Sequence, residues 1–412
     1  MGRRRNTRFD VAVTGMGLVT PAGIGVEANW ARVCSGRSTA SRDEALAGLP
    51  VDFSCRVPDF DPGALLGRRL AWRLDRVSQL ALVAAREAVA DAGLDPKTWD
   101  GARVGVVVGS SFGGAATYER EHARVLEEGP EWVSPLLMVM APVNMSAGYL
   151  AIDLGAVGPN LVVSTACAAG STAIGTARQL LEADMCDVVI AGGTESTSTR
   201  TTMASLHRMG ALSVRRDDPQ AASRPFDADR DGFVAGEGAG MLILERAADA
   251  QARGARVYAH VSGYGATADG HHPSAPHPEG AGAQRAVRAA LADALVEPAD
   301  VGHVNAHGTS TPLNDVTESR VIRQVLGDGP AVTSTKGVIG HLIGAAGAVE
   351  AAYTVLAVHR GQIPPTANLT SRDPEVTVDV VGKETRAVRL SAAVSNSFGF
   401  GGQNSVLVVT AA

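Results

Sequence analysis

Cys167 lies at a strand-to-helix turn, a position that favours a nucleophile. The mainly apolar residues 161–166 predict a strand, and the small residues 168–177 predict a helix that begins directly after the cysteine. At a helix N-terminus, free amide N–H groups and the helix dipole stabilise negative charge, so they favour thiolate and lower the pKa of a thiol. The alternative is a small buried core cysteine, which is the usual role of a free cysteine.

Two histidines further along the chain lie in turns that glycine restricts. His307 follows a strand predicted at residues 303–305, and His341 lies in the glycine-bearing loop 336–344 before a second helix of small residues. A single histidine is more often a hydrogen-bonded structural residue, although imidazole also exchanges protons near neutral pH. Together with Cys167, the two histidines form a set that favours catalysis at the thiol.

The composition predicts a layered α/β protein. The chain has 412 residues, more than one hydrophobic core usually serves, so two domains or two halves of one large body are expected. Hydrophobic residues make up 45% and aromatic residues only 4%, whereas there are 47 glycines, so the core must be built from small aliphatic side chains. A net charge of -6 argues against nucleic acid as the main partner, because phosphate binding favours a basic surface.

The sequence contains no pattern typical of a metal site, a nucleotide site or a membrane-spanning helix. The cysteines are Cys34, Cys55, Cys167 and Cys186. Their spacing matches no metal site, and the glycine-rich segments 109–114 and 399–402 match neither a dinucleotide fingerprint nor a P-loop. No apolar run approaches the roughly 18 residues of a membrane-spanning helix, and the first residues do not resemble a signal peptide. We therefore expect a cytoplasmic protein without metal, nucleotide or membrane contact.

The order of predicted elements indicates buried, largely parallel strands connected by helices. A strand, turn and helix at residues 162–181 is repeated at residues 331–358, and both strands end on Ser-Thr. The repeat predicts two related halves, residues 1–255 with Cys167 and residues 256–412 with both histidines. A chance likeness of two strand-helix units is the alternative.

Four sequence blocks resemble the β-ketoacyl-acyl carrier protein synthases, and among them the elongating ketosynthases of type II fatty-acid and polyketide assembly. In chain order the blocks are residues 165–170, the His307 turn, the His341 loop and the Phe400 loop. They occur in the family's order and spacing, and the likeness extends from residues 13–17 to residues 395–404. The resemblance implies a thiolase-like α/β fold of two duplicated halves, layered α-β-α-β-α.

The resemblance also implies a decarboxylative Claisen condensation. The thiolate of Cys167 takes an acyl chain from an acyl carrier protein, and malonyl carrier protein loses CO2 to give the enolate that attacks this acyl group. The N–H groups of His307 and His341 stabilise the enolate oxygen. The backbone amides of Cys167 and Phe400 bind the oxyanion of each acyl transfer, and Phe400 gates the pocket. No dissociable cofactor is implied, because phosphopantetheine arrives on the carrier protein.

Other residues match further positions of the family's site. Lys336 and Glu350 are expected to orient the site electrostatically, with a solvated loop as the alternative for Lys336. Thr309 and Thr311 match threonines that bind the phosphopantetheine arm, although they could equally satisfy the local backbone. The remaining positions assigned to substrate contact are Glu350, Phe398 and Ser274.

Two surfaces bear on specificity and partners. Phe112 matches the floor of the acyl pocket, where a ring would limit or bend the acyl chain, and ordinary core packing is the alternative. Three arginines near Trp72 match positions that contact the acidic carrier protein, and a solvated helix start is the alternative. These arginines are Arg68, Arg69 and Arg73. Residues 132–138 are expected near the pocket of a partner subunit.

Three related classes fit the sequence less well. A thiolase needs a second cysteine near its C-terminal glycine loop, and no cysteine follows Cys186. Initiating ketosynthases carry asparagine where His341 stands. The catalytically silent chain-length partner replaces the nucleophile, which is retained here as Cys167. Ala168 and Ala169 replace the Thr-Ser pair common in fatty-acid enzymes, so the sequence is compatible with either pathway, and with a homodimer or a ketosynthase/chain-length-factor heterodimer.

Overall fold

The computed structural model describes residues 8–196 and 198–412, which form a mixed α/β architecture. In chain order the strands are β1 (Val11–Thr20), β2 (Gly23–Ile24), β3 (Ser41–Arg42), β4 (Phe53–Ser54), β5 (Val104–Gly109), β6 (Asn160–Val163), β7 (Val188–Glu195), β8 (Gly238–Arg246), β9 (Ala259–Ala268), β10 (Val301–Asn305), β11 (Ala331–Thr333), β12 (Gln362–Ile363), β13 (Asp379–Val380), β14 (Arg386–Ala387), β15 (Ala392–Gly399) and β16 (Gln403–Thr410).

The helices vary from single turns to four turns. In chain order they are α1 (Val26–Cys34), α2 (Pro62–Leu66), α3 (Arg68–Ala71), α4 (Arg76–Asp91), α5 (Ala115–Glu127), α6 (Leu137–Met140), α7 (Met145–Leu154), α8 (Ala169–Glu182), α9 (Arg200–Arg208), α10 (Ala247–Ala252), α11 (Ala281–Ala294), α12 (Pro312–Leu326), α13 (Lys336–Ile339) and α14 (Ala346–Arg360).

One large sheet runs through the described part of the chain, and its two ends repeat each other. From the centre outward, one end has the order β1-β8-β7-β5-β6 and the other has β9-β16-β15-β10-β11, followed by β13. In both, the first two neighbouring pairs are antiparallel and the next two are parallel. β1 and β9 pair over residues 11–13 and so join the ends. The same order and direction of strands is what a duplicated unit produces.

Helices cover both outer faces of this sheet and also fill the space between its two ends. α4 and α7 pack on the outside of the first end, through side chains such as Leu80. α11 and α12 cover the outside of the second end, through side chains such as Ala286. α8 and α14 lie between them, with Ala173 and Ala348 in one buried core. The layers therefore follow the order α-β-α-β-α.

Glycines let the two central helices approach each other at their first turns. A Cβ on Gly170 of α8 would lie 2.5 Å from the amide nitrogen of Ala348 on α14. A Cβ on Gly347 of α14 would lie 2.3 Å from a serine hydroxyl of α8. Side chains at these positions would push the helices apart, so the small residues bring together the turns that carry Cys167 and His341.

The two strand-helix units expected from the sequence are confirmed. Residues 162–181 contain the second half of β6 and most of α8, and residues 331–358 contain β11, α13 and most of α14. The division into residues 1–255 and 256–412 stays a prediction, and it falls in the connection between α10 and β9.

Candidate active site

Cys167 is the middle residue of a 3-10 turn, Ala166–Ala168, that leads from β6 into α8. The predicted place of the thiol, directly before a helix, is confirmed. The expected lowering of its pKa is wrong, because burial raises the pKa of the Cys167 thiol to about 11. The charge of Lys336 and the amide of Phe400 oppose this effect without overcoming it. The thiol is therefore protonated at neutral pH, and acylation has to remove its proton.

The Phe400 loop lies against the nucleophile turn. A Cβ on Gly399 would lie 3.0 Å from the amide nitrogen of Cys167, so glycine is required where the two backbones meet. The amide of Phe400 donates to the sulfur of Cys167. Two backbone N–H groups therefore converge beside the thiol, which is the arrangement that an oxyanion needs.

The turn between β15 and β16 also contacts the loop that carries Ser274. The amide of Gly401 donates to the carbonyl oxygen of Pro273 at 2.7 Å. The ring of His272 accepts hydrogen bonds from the amides of Ser274 at 3.2 Å and of Ala275 at 3.0 Å, which fixes the loop locally. Ser274 is exposed, and its contact with substrate stays a prediction.

His307 and His341 form a close, buried pair. Their ring centroids lie 5.4 Å apart and the rings are nearly perpendicular, at 84°. Nδ1 of each ring has no hydrogen-bond partner among the described residues. Burial and the positive charge of Lys336 hold the pKa of both imidazoles well below the usual value, so both rings are neutral at pH 7. Neutral imidazoles can donate an N–H hydrogen bond to a developing negative charge.

The end of β15 connects the histidines to the nucleophile. The ring of Phe398 packs edge-on against His307, with centroids 5.8 Å apart, and Gly399 and Phe400 border Cys167. Phe233 packs edge-on against His341 at 5.1 Å and belongs to the same core cluster as Cys167. The structure therefore brings the cysteine and both histidines into one enclosed site.

Two buried carboxylates of α12 hold the His307 turn, and sequence reasoning missed both. Glu318 accepts the amides of His307 at 2.8 Å and Gly308 at 2.7 Å. Asp315 accepts the amide of Ser310 at 3.2 Å, where the backbone has a φ of +69°. Acidic residues three positions apart after the His307 turn were the available signal, but such spacing is usual on solvated helix faces as well.

Lys336 and Glu350 are fully buried and form an ion pair. The solvated-loop alternative for Lys336 is therefore wrong. Burial raises the pKa of Glu350 to about 7, and Lys336 opposes that shift. The position of Glu350 is that of a partner for the lysine, and its contact with substrate stays a prediction. The charge of Lys336 lowers the pKa of Cys167, His307 and His341, and its expected role in orienting the site stays a prediction.

Thr309 and Thr311 lie next to each other at the start of α12. Their hydroxyls are 2.9 Å apart, and Thr311 is the residue directly before the helix. Each hydroxyl is engaged locally, and each could still accept or donate a second hydrogen bond. Their binding of a phosphopantetheine arm stays a prediction.

Phe112 follows β5, and 56% of its side chain is accessible although Ser110, Gly113 and Gly114 beside it are buried. The alternative that Phe112 packs in the core is therefore wrong for the single chain. Its expected position at the floor of the acyl pocket stays a prediction. Trp132 and Met138, in the segment expected beside a partner subunit, are 61% and 72% exposed. Arg68 and Arg69 on α3 and Arg73 after it are exposed, which carrier-protein docking requires but does not establish.

Comparisons with known proteins define the class of enzyme. Two family models match the chain: "Beta-ketoacyl synthase, N-terminal domain" over residues 8–250 and "Beta-ketoacyl synthase, C-terminal domain" over residues 258–370. The class is an acyltransferase of the condensing type, with a thiolase-like α/β fold as predicted. The chain belongs to the β-ketoacyl synthase family.

Curated relatives match the chain over nearly their whole length. A 3-oxoacyl-[acyl-carrier-protein] synthase 2 of Synechocystis sp. is 44% identical over 403 residues, covering 96% of this chain and 97% of the relative. The protein of the same name from Staphylococcus aureus is 42% identical over 403 residues, with 97% of both chains covered.

Solved structures of ketosynthases share the fold. The ishigamide ketosynthase/chain length factor has a TM-score of 0.93 at 35% identity, covering 98% of this chain and 100% of that chain. A type II PKS acyl-carrier protein in complex with its ketosynthase, AntDE:AntF, has a TM-score of 0.90 at 32% identity with the same coverage. A β-ketoacyl synthase from Burkholderia phymatum has a TM-score of 0.92 at 34% identity, again with this coverage. Among the described residues of the present chain, no helix is both long and apolar enough to cross a membrane.

The raised pKa of Cys167 predicts a steep dependence of its alkylation on pH. Because the thiolate reacts and the folded pKa is about 11, the rate with iodoacetamide should rise about tenfold per pH unit from pH 7 to pH 10. The rate is measured by mass spectrometry of the Cys167 peptide, with the Cys34 peptide of the same digest as an internal control. A rate that levels off below pH 8 would show that the thiol is already ionised near neutral pH.

Proposed function

We propose that this chain is a 3-oxoacyl-[acyl-carrier-protein] synthase that condenses malonyl-ACP with an acyl chain held on Cys167. The observation that carries the proposal is a buried Cys167 beside two converging backbone amides, linked through the end of β15 to a buried pair of neutral histidines. The family membership and the names of the curated relatives support the same reaction.

The first half-reaction transfers the acyl group to the enzyme. The sulfur of Cys167 attacks the thioester carbonyl of acyl-ACP, the carbon-sulfur bond to the phosphopantetheine breaks, and the thiol proton passes to the departing pantetheine sulfur. The oxyanion of the tetrahedral intermediate is bound by the amides of Cys167 and Phe400, which converge beside the sulfur. The products are an acyl thioester on Cys167 and free carrier protein.

The second half-reaction forms the carbon-carbon bond. Malonyl-ACP loses its carboxylate as CO2, and the electron pair of the broken bond forms an enolate whose oxygen accepts N–H hydrogen bonds from His307 and His341. The enolate carbon attacks the carbonyl of the acyl thioester, and Cys167 leaves as thiolate. Lys336 supplies the positive charge nearby, and the thiolate takes up a proton before the next cycle. The product is a 3-oxoacyl-ACP two carbons longer, and we assign no dissociable cofactor to this reaction.

The partners follow from the substrates and from the exposed surfaces. An acyl carrier protein is acidic, and exposed arginines near Trp72 supply a basic contact: Arg68, Arg69 and Arg73. The AntDE:AntF structure contains a ketosynthase with its acyl-carrier protein, which supports such docking. The exposed side chains of Phe112, Trp132 and Met138 support contact with a partner subunit.

A second candidate pathway is supported by the structural relatives. The curated relatives carry the name of a 3-oxoacyl-ACP synthase, whereas the ishigamide structural relative is a ketosynthase with a chain length factor. The chain is therefore proposed either as a homodimeric synthase or as the catalytic subunit of a ketosynthase/chain-length-factor heterodimer in polyketide assembly. A cytoplasmic location stays a prediction.

Reconstitution tests the proposed function. The purified chain should convert malonyl-ACP and a primed acyl-ACP to CO2 and a 3-oxoacyl-ACP extended by two carbons, detected by mass spectrometry of the carrier protein. A series of primers of increasing length then measures the longest acyl chain that the pocket accepts. The same series with a co-expressed chain-length partner distinguishes the homodimeric synthase from the heterodimeric ketosynthase. Absence of an extended product with every primer and with either subunit arrangement would contradict the proposal.

A further inference from the structure

Glu195, the last residue of β7, is a buried carboxylate that the condensation described above does not use. It accepts the amide of Ser111 at 2.7 Å, and the amides of Phe112 and Gly344 also donate to it. The first two donors lie in the loop after β5, and the third lies in the turn that follows His341. One side chain therefore joins two loops of the site.

Ser111 extends this connection to the nucleophile. Its hydroxyl donates to the carbonyl oxygen of Ala166 at 3.1 Å, and Ala166 directly precedes Cys167. Ala166 has a φ of +48°, in the left-handed region that residues other than glycine adopt only at an energetic cost. A turn of this kind needs partners that hold it, and the Ser111 hydroxyl is one.

The internal repeat shows why a carboxylate lies here. The 3-10 turn before α14 repeats the 3-10 turn before α8, and the first residues of the two turns, Ile343 and Ala166, have the same φ of +48°. Gly344 therefore occupies the place that Cys167 has in the other half. A Cβ on Gly344 would lie 2.5 Å from a carboxylate oxygen of Glu195. Where one turn presents a nucleophile, its counterpart donates to a buried carboxyl group whose pKa is raised by burial to about 7.

The hydrogen-bond donors around Glu195 suit the side chain of glutamate better than that of glutamine. Three backbone N–H groups point at its oxygens, and the hydroxyl of Ser110 lies 3.4 Å from Oε1. Glutamine has the same shape, but its NH2 group has only donors, so it would face an N–H group of the loop. The Glu195→Gln variant therefore removes a contact without removing volume.

We propose that Glu195 and Ser111 are positioning residues that hold the Cys167 turn in the geometry that accepts an acyl group. The proposal rests on the proposed function. Neither side chain is assigned a contact with the reacting atoms. Both act through the Ala166 carbonyl and the loop that carries Phe112, and the charge of Glu195 also raises the pKa of Cys167. The His307 turn is held separately by Glu318, so loss of the Ser111 hydroxyl should affect acylation of Cys167 more than decarboxylation of malonyl-ACP.

Two rates measured on the same variants test this proposal. Ser111→Ala should slow acylation of Cys167 by acyl-ACP about tenfold, the effect of one lost buried hydrogen bond, and should leave malonyl-ACP decarboxylation within about twofold of the wild type. Glu195→Gln should also slow acylation, because the lost contact outweighs the small fall in the pKa of Cys167 that follows from loss of the Glu195 charge. Ser146→Ala is the matched control, because it removes a hydroxyl of α7 that donates to the carbonyl of Val143, just before the helix, at 3.2 Å. This variant should change neither rate.

Each outcome bears on one proposal or the other. If the wild type is not acylated, the proposed function fails, and the positioning role fails with it. If the wild type is acylated and Ser111→Ala matches Ser146→Ala, only the positioning role is overturned. Equal losses of both rates in Ser111→Ala also overturn it, because they indicate general damage. If the Glu195→Gln variant folds and is acylated at the wild-type rate, Glu195 does not position the Cys167 turn.

Discussion

Replacing both His307 and His341 with alanine should lower malonyl-ACP decarboxylation at least about a hundredfold, while the protein remains folded. The two rings are neutral and lie 5.4 Å apart, so each can donate one N–H to the enolate oxygen. Alanine removes both donors from an enclosed site in which water cannot readily replace them. Release of CO2 from malonyl-ACP in the absence of a primer measures the step directly.

His359→Ala is the matched control for the double variant. His359 lies at the exposed end of α14, where its ring packs on Tyr258 away from the paired histidines. This control should release CO2 at the wild-type rate. Wild-type CO2 release from the double variant would contradict the assignment of the enolate donors, whereas acylation of Cys167 in that variant should persist, because different donors serve that step.

The fold class could be predicted because two kinds of sequence signal agree. Alternating apolar runs and small-residue helices indicated a layered α/β protein, and the repeat at residues 162–181 and 331–358 corresponds to the two central strand-helix units. The continuous sheet joined at β1 and β9 could not be predicted, since pairing between distant strands leaves no local pattern in the chain.

The nucleophile and the histidines could be predicted from their turns, whereas the groups that hold them could not. The position of Cys167 before a helix suggested a lowered pKa, but burial outweighs the helix terminus once the thiol is enclosed. Glu318 and Glu195 are buried carboxylates whose partners are backbone amides of other loops. Such contacts depend on how the loops meet, so a residue type and a spacing alone do not indicate them.

Lys336 and Phe112 also have environments that their local sequence did not indicate. A lysine in a glycine-rich loop is usually solvated, but here Glu350 of the next helix neutralises it in the core. A phenylalanine after a buried strand is usually in the core, but here the ring of Phe112 is exposed although Ser110, Gly113 and Gly114 of the same loop are buried. In both cases the environment depends on tertiary packing and not on the local sequence.

Acylation of Cys167 is the central claim, and intact-protein mass spectrometry after incubation with acyl-ACP tests it most directly. The wild type should gain the mass of one acyl group, lost again with hydroxylamine, and the Cys34→Ala control should gain the same mass, because Cys34 is a partly exposed thiol outside the site. Cys167→Ala should gain none. Acylation of the Cys167→Ala variant, or of the wild type at any other residue, would contradict the account.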